Sequence, residues 1–185
     1  MDLEQEKDLV EKAKGDANAF GSLYELYYSK IFGYILRRTA NIQVAEHITS
    51  EVFFRALINI AKFNWRGIPF SAWLYRIATN EIACYFKHGK GSQVRWEDVS
   101  EFEVASIPSA EEGLLEAEME LKRHEQYLAL HNNICKLDIK YQEVIALRFF
   151  ENKQIKEVSD ILGKREGTVK SLLHRGLRKL RKLME

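Results

Sequence analysis

From Phe20 to about His88, apolar residues recur at three- and four-residue intervals, the spacing of a helix with one buried face. In "FGSLYELYYSKIFGYILRRT" the stripe is Leu23, Tyr27, Ile31, Tyr34 and Ile35. In "NIQVAEHITSEVFFRALINIAKF" it is Val44, Ile48, Val52, Phe53, Ala56, Leu57 and Ile60, and Asn41 stands where an N-cap belongs. "WRGIP" breaks the pattern with Gly67 and Pro69, and a third helix follows in "AWLYRIATNEIACYFKH" with Ser71 as its candidate cap. The periodicity is lost from Gly89 to about Ser109, where Gly, Ser, Pro and acids read as a linker. It resumes after Gly113. "LLEAEMELKRHEQYLALHNNICKL" predicts one helix, "YQEVIALRFFE" a second, "KQIKEVSDILG" a third and "EGTVKSLLHRGLRKLRK" the last. With no strand alternation and no internal repeat, the pattern predicts an all-α protein. It consists of two small helical domains, residues 1–90 and 113–185, joined by a flexible acidic linker, residues 91–112.

Composition agrees with long helices: the 185 residues include only two prolines and ten glycines, and 46% are hydrophobic. The net charge of +1 conceals a segregation. Residues 1–25 hold three basic and seven acidic side chains, and residues 26–90 hold nine and three. Residues 91–130 hold three and ten, and residues 131–185 hold thirteen and seven. Two basic blocks flanking an acidic one suggest two modules that face polyanions. The acidic N-terminus has no hydrophobic signal core and no apolar run is long enough to span a bilayer, so a cytoplasmic protein without direct membrane insertion is expected. Cys84 and Cys135 lie in apolar helical surroundings and read as small buried thiols.

"QIKEVSDILGKREGTVKSLLHRGLRKL" has the layout of a helix-turn-helix. Ile155, Val158, Ile161 and Leu162 share one face of the first helix, and Gly163 falls where the helix must end in a left-handed residue. The second helix begins near Thr168. On a wheel, Val169, Leu172, Leu173, Gly176, Leu177, Leu180 and Leu183 fall on one side. Lys170, Ser171, His174, Arg175, Arg178, Arg181 and Lys182 fall on the other. The second helix of such a motif enters the major groove N-terminus first. Lys170, Ser171, His174 and Arg175 are therefore the candidates for base edges, and Arg178, Lys179, Arg181 and Lys182 for phosphates.

In the N-terminal half, "FNWRGIPFSAWLYRIATNEIACYFKHGK" interleaves aromatics with Arg66, Arg76, Lys87 and Lys90, a composition that suits single-stranded nucleic acid. Arg76, Asn80, Ala83 and Lys87 form one stripe at helical spacing. Trp73 and Tyr75 suit core and stacking equally well. The second helix is too apolar for a phosphate face, and spacing does not separate a partner surface on it from core.

At this point the chain resembles a bacterial RNA polymerase sigma factor of the small, extracytoplasmic-function (ECF) group. "FGSLYELYYSKIFGYILRRT", "AEHITSEVFFRA" and "FSAWLYRIATNEI" resemble conserved region 2, and the segment from "YQEVIALRFFE" to the C-terminus resembles region 4. The resemblance implies that region 2 binds the β′ clamp helices of core polymerase through Glu46, Thr49, Glu51 and Phe53. It implies capture of the melted minus-ten element by Asn64, Trp65, Arg66, Trp73, Arg76, Asn80 and Lys87. It further implies that region 4 reads the minus-thirty-five element through Lys170, Ser171, His174, Arg175, Arg178 and Lys179 and holds the β flap. The partners implied are core polymerase, promoter DNA and an anti-sigma factor. The chain departs from the family pattern at His47, Ser50, Asp138 and Leu172.

Two other classes remain at this level. One is a helix-turn-helix regulator of duplex DNA with an N-terminal dimerisation module. The other is an enzyme, for which the sequence offers no Gly-rich phosphate loop, nucleophile–base motif or cofactor signature. His131 and Cys135, four apart on a helix, are two metal-ligand types, and two alone do not make a metal site.

Overall fold

Short polar caps and left-handed residues divide the apolar stripes into helices. A computed structural model describes residues 3–65, 67–87 and 129–185. Its helices are α1 (Leu3–Ala13), α2 (Ala17–Thr39), α3 (Ile42–Asn59), α4 (Phe70–Lys87), α5 (residues 129–135), α6 (Ile139–Ile145), α7 (Ile155–Leu162) and α8 (Glu166–Met184). No strand occurs among the described residues. The linker, Arg66, and most of the helix expected over residues 114–137 lie outside the described residues.

Asp16 starts α2 by accepting the Asn18 N–H at 2.8 Å, and Ala40 ends it in the left-handed region at φ 50°. Asn41 then caps α3 as expected, its Oδ1 accepting the Val44 N–H at 2.9 Å. Ser71 does not cap α4. The helix begins one residue earlier, and Ser71 is buried inside its first turn. The cap comes from α1, which the sequence pattern did not reveal. Glu6, 5% exposed, accepts the Phe70 N–H at 2.8 Å and also the Tyr27 hydroxyl. A carboxylate at a helix N-terminus meets both an orphan N–H and the positive end of the dipole. α1 is therefore a strap that fixes where α4 starts.

Helices α1 to α4 close one core around Val10, Leu23, Ile31, Tyr34, Val52 and Leu74, each fully buried. α6, α7 and α8 pack around Val144, Leu147, Val158, Ile161 and Val169, and these join the first set in one continuous buried cluster. Gly163 ends α7 at φ 62°, as its position predicts. α8 starts at Glu166, two residues before the expected Thr168. Gly176 is buried where α8 crosses α6: a β-carbon there would stand 3.2 Å from both Tyr141 Cβ and Ile145 Cδ1. The wheel places Leu172 and Leu180 correctly in the core, but Leu177, at the edge of the packed face, and Leu183, past the last buried residue Leu180, are exposed. α6 passes into a five-residue π-helical turn, Ala146–Phe150, rather than the regular helix expected. Cys84 and Cys135 are exposed residues, not buried ones. The Cys135 sulfur nevertheless turns inward, 3.6 Å from His131 Nδ1, and burial of the sulfur raises its pKa.

Candidate nucleic-acid and polymerase interface

The face of α8 away from its leucines is the most basic surface of the C-terminal domain. Lys170, Ser171, His174, Arg175, Arg178 and Lys179 are all exposed on it. Arg175 folds across Ser171, its Nε 3.2 Å from the Ser171 carbonyl and its terminal nitrogen 3.1 Å from Ser171 Oγ. These two side chains therefore present one joint edge rather than two independent probes. Lys170 pairs with Glu166 at 3.9 Å. Lys179 leans back to α6, 3.4 Å from Asp138 and 5.0 Å from the Tyr141 ring centroid. Asp138, one of the departures from the family pattern, thus holds one of the phosphate candidates at the rear of the helix.

In the N-terminal domain Arg76, Asn80 and Lys87 are exposed along α4, as the stripe predicts. Asn64 is exposed in the loop before it, and Trp65 and Trp73 are half-buried. The two tryptophans flank Phe63, with ring centroids 6.4 and 4.9 Å away, and Trp73 also lies 5.3 Å from Phe70. Packing of this kind holds the plane of each ring while both residues stay partly exposed. Tyr75 is different: at 2% exposure it is core.

The four positions implied on α3 separate. Glu46 is exposed and Glu51 half-buried. Thr49 is fully buried, its hydroxyl donating to the Ala45 carbonyl at 2.6 Å, and Phe53 packs its ring 4.7 Å from Tyr24. Thr49 and Phe53 are core residues in this fold. The outward face carries Phe54 and Ile58, each 58% exposed, with Leu57 between them. Three large apolar side chains at i, i+3 and i+4 thus share one exposed face. The sequence signal for it was that apolar residues on α3, Phe54 and Ile58, also stand off the stripe that marks its buried face.

The two domains meet. α4 packs on α7, and α2 on the π-helical turn. Between them lies a cleft of about 1020 Å³. Asn64, Trp73, Arg76 and Asn80 line one wall, and Asp160, Lys164 and Arg165 line the other. Five basic and two acidic side chains line the cleft, so it favours anions. Beside it is a polar junction that sequence reasoning missed. Glu151, at the end of the π turn, accepts from Arg37 and from the Tyr75 hydroxyl, the latter at 2.7 Å. His131 bonds the Arg37 carbonyl through Nε2. Burial lowers the pKa of His131 and raises those of Tyr75 and Glu143. Among the described residues no group of three potential metal ligands occurs, and no helix is long and apolar enough to cross a membrane.

Comparison with known proteins gives this arrangement a family. Residues 23–90 match Sigma-70 region 2, and residues 127–180 match Sigma-70, region 4. The ECF RNA polymerase sigma factor BldN of Streptomyces coelicolor is 36% identical over 185 residues, covering 96% of this chain and 65% of that one. This chain therefore spans less than two thirds of that relative's length. SigW of Bacillus subtilis, also an ECF RNA polymerase sigma factor, is 33% identical over 184 residues, covering 98% of this chain and 97% of that one. Among solved structures, CnrH in complex with the cytosolic domain of CnrY has the same fold, with a TM-score of 0.68 at 21% identity over 97% of this chain and 96% of that one. Two family regions in the same order, on two helical domains, with relatives matched along nearly the whole chain, lead to one conclusion: the chain belongs to the ECF RNA polymerase sigma factors.

Proposed function

We propose that this sigma factor joins core polymerase and reads a promoter at two places. The C-terminal domain, residues 113–185, reads the minus-thirty-five duplex and holds the β flap. Lys170, Ser171, His174 and Arg175 enter the major groove, and Arg178 and Lys179 meet phosphates. The N-terminal domain, residues 1–90, captures the melted minus-ten strand along Asn64, Trp65, Arg66, Trp73, Arg76, Asn80 and Lys87. The β′ clamp helices dock on α3 beside Glu46 and Glu51, against Phe54, Leu57 and Ile58. The acidic linker, residues 91–112, threads between, and an anti-sigma factor is the proposed regulatory partner. The sigma factor RpoE of Bartonella quintana, which has the same fold, was solved in complex with the anti-sigma factor NepR.

The observation that carries this reading is the pairing of two unlike surfaces on one chain. One is a helix face of cations that fits a duplex groove. The other is a stripe of Arg, Asn and Lys beside half-buried tryptophans, which fits unpaired bases. Run-off transcription with core polymerase on a genomic promoter library tests it. The expected result is initiation from a subset of promoters only when the protein is added, and no initiation on any promoter would end the proposal. Arg175→Ala should cost about 1–3 kcal/mol and relax one upstream position, whereas a uniform weakening on all sequences would move Arg175 to the phosphate set.

A further inference from the structure

The polar side chains on the basic face of α8 are not held alike. Lys170 pairs with Glu166 one turn back at 3.9 Å, and both side chains are at least half exposed. An exposed pair of this kind contributes little and yields readily to a phosphate. Arg175 is held by two hydrogen bonds to a single residue. Its Nε–H donates to the Ser171 carbonyl at 3.2 Å, and its Nη2 donates to Ser171 Oγ at 3.1 Å. Both donors belong to one side edge of the planar guanidinium, so the two bonds fix its plane as well as its position. The backbone beneath is pinned from the opposite side. Leu172 is 6% exposed, and Gly176 is buried where α8 crosses α6.

What this leaves open is chemically specific. A guanidinium has five N–H groups. With Nε–H and one Nη2 hydrogen given to Ser171, the end edge remains, with one N–H on Nη1 and one on Nη2 lying parallel. Two parallel donors match the N7 and O6 acceptors that guanine shows in the major groove, where no other base shows two acceptors. Ser171 adds little discrimination of its own. A serine hydroxyl serves either base type, and one of its lone pairs already accepts from Arg175. An arginine aligned in advance gives up less rotamer freedom on binding, and that gain falls on the base that fits the aligned edge. Without Ser171 the same side chain also reaches phosphates and neighbouring bases, so discrimination falls more than affinity.

We infer that Ser171 is a positioning residue for Arg175 rather than a second reader: its carbonyl and hydroxyl take the side edge of the guanidinium and present the end edge to one guanine of the minus-thirty-five element. This rests on the base-reading role proposed for Arg175.

The test compares holoenzymes assembled from core polymerase and the full-length chain, as parent, S171A, S171T, R175A and S171A/R175A. Each selects from a promoter library with a randomised minus-thirty-five element, and sequencing of the bound fraction gives the base preference at every position. Circular dichroism confirms that each chain is folded. R175A is expected to abolish a guanine preference at one position. S171A should weaken that same preference by roughly three- to tenfold and leave the others within about twofold. S171T keeps the hydroxyl and should stay near the parent, and S171A should add nothing in the R175A background. Relaxation of a different position by S171A would make Ser171 a reader in its own right and overturn the inference. Equal weakening of all sequences by S171A would make Ser171 a phosphate contact, and a parent-like S171A would leave it no role at Arg175; either result overturns the inference as well. A parent that prefers guanine nowhere, or an R175A that weakens all sequences alike, would remove the base-reading role of Arg175 itself, a separate failure that is visible without any Ser171 variant.

Discussion

Glu6→Ala offers the sharpest test of how the N-terminal domain is held. Glu6 Oε1 is the acceptor for two donors from elements remote in sequence, the Phe70 N–H that opens α4 and the Tyr27 hydroxyl on α2. Tyr27 is 7% exposed and Phe70 fully buried, so neither donor gains water when the carboxylate is removed. Each orphaned buried donor costs about 1–3 kcal/mol, and the lost dipole interaction adds about 0.3–1 kcal/mol. The expected loss is roughly 3–5 kcal/mol, a large part of the ~5–15 kcal/mol that holds a domain together. Glu6→Gln keeps an oxygen in place and loses only the charge, so it should cost about 1–2 kcal/mol. Urea unfolding followed by tryptophan emission reports on this domain, because Trp65 and Trp73 both flank Phe63. At a slope of about 2 kcal/mol per molar, the alanine variant should lose roughly 2 M of midpoint. A loss below about 1 kcal/mol in the alanine variant would refute the reasoning, since it would mean that water or a repacked side chain serves both donors. Equal losses in the two variants would refute the geometric half of it. The functional consequence follows from position: the same bond fixes the start of α4, which carries Trp73, Arg76 and Asn80.

The two faces of α3 predict opposite behaviour. Phe54→Ser with Ile58→Ser should leave the urea midpoint within about 0.5 kcal/mol and weaken core-polymerase binding at least about tenfold. Thr49→Val should leave that binding unchanged, and a loss of binding would return Thr49 to the interface. His131 predicts a pH dependence. Burial holds its pKa below the ordinary value of about 6.5, so the neutral ring belongs to the folded state. As pH falls below about 6.5 the unfolded chain takes up a proton that the folded chain does not, and stability drops by up to ~1.4 kcal/mol per pH unit until the lowered pKa is passed. His131→Gln should flatten unfolding midpoints measured between pH 7.5 and 5.5; an unchanged slope would assign the loss to other groups.

Much of this protein was legible without coordinates, wherever the information is local. A helix with a stripe at 3.6-residue spacing, an Asn41 cap or a Gly163 stop depends on neighbours within one turn, so sequence order carries it. The basic face of α8 was readable for the same reason, since Val169, Leu172 and Leu180 fix which way Lys170 and Arg175 point. The ECF resemblance likewise rested on contiguous segments, and the family matches fall on them.

What the sequence could not assign was every side chain whose role depends on a remote partner. The α3 stripe put Phe53, packed on Tyr24, on the buried face and left Phe54 off it, as the structure has them, but it also took in Leu57, which stands in solvent. Glu6 read as one acid among many until folding brought it to Phe70, sixty-four positions away. Glu151 read as the tail of a helix until a π turn aimed it at Arg37 and Tyr75, across the domain boundary. The sequence by itself determined the helices, their order and the basic reading face, because these follow from short-range periodicity and charge. Only the tertiary structure decided how far the open face of α3 extends, what anchors α4 and how the two domains close on each other. Those outcomes depend on which buried polar groups find partners, and the partners lie far along the chain.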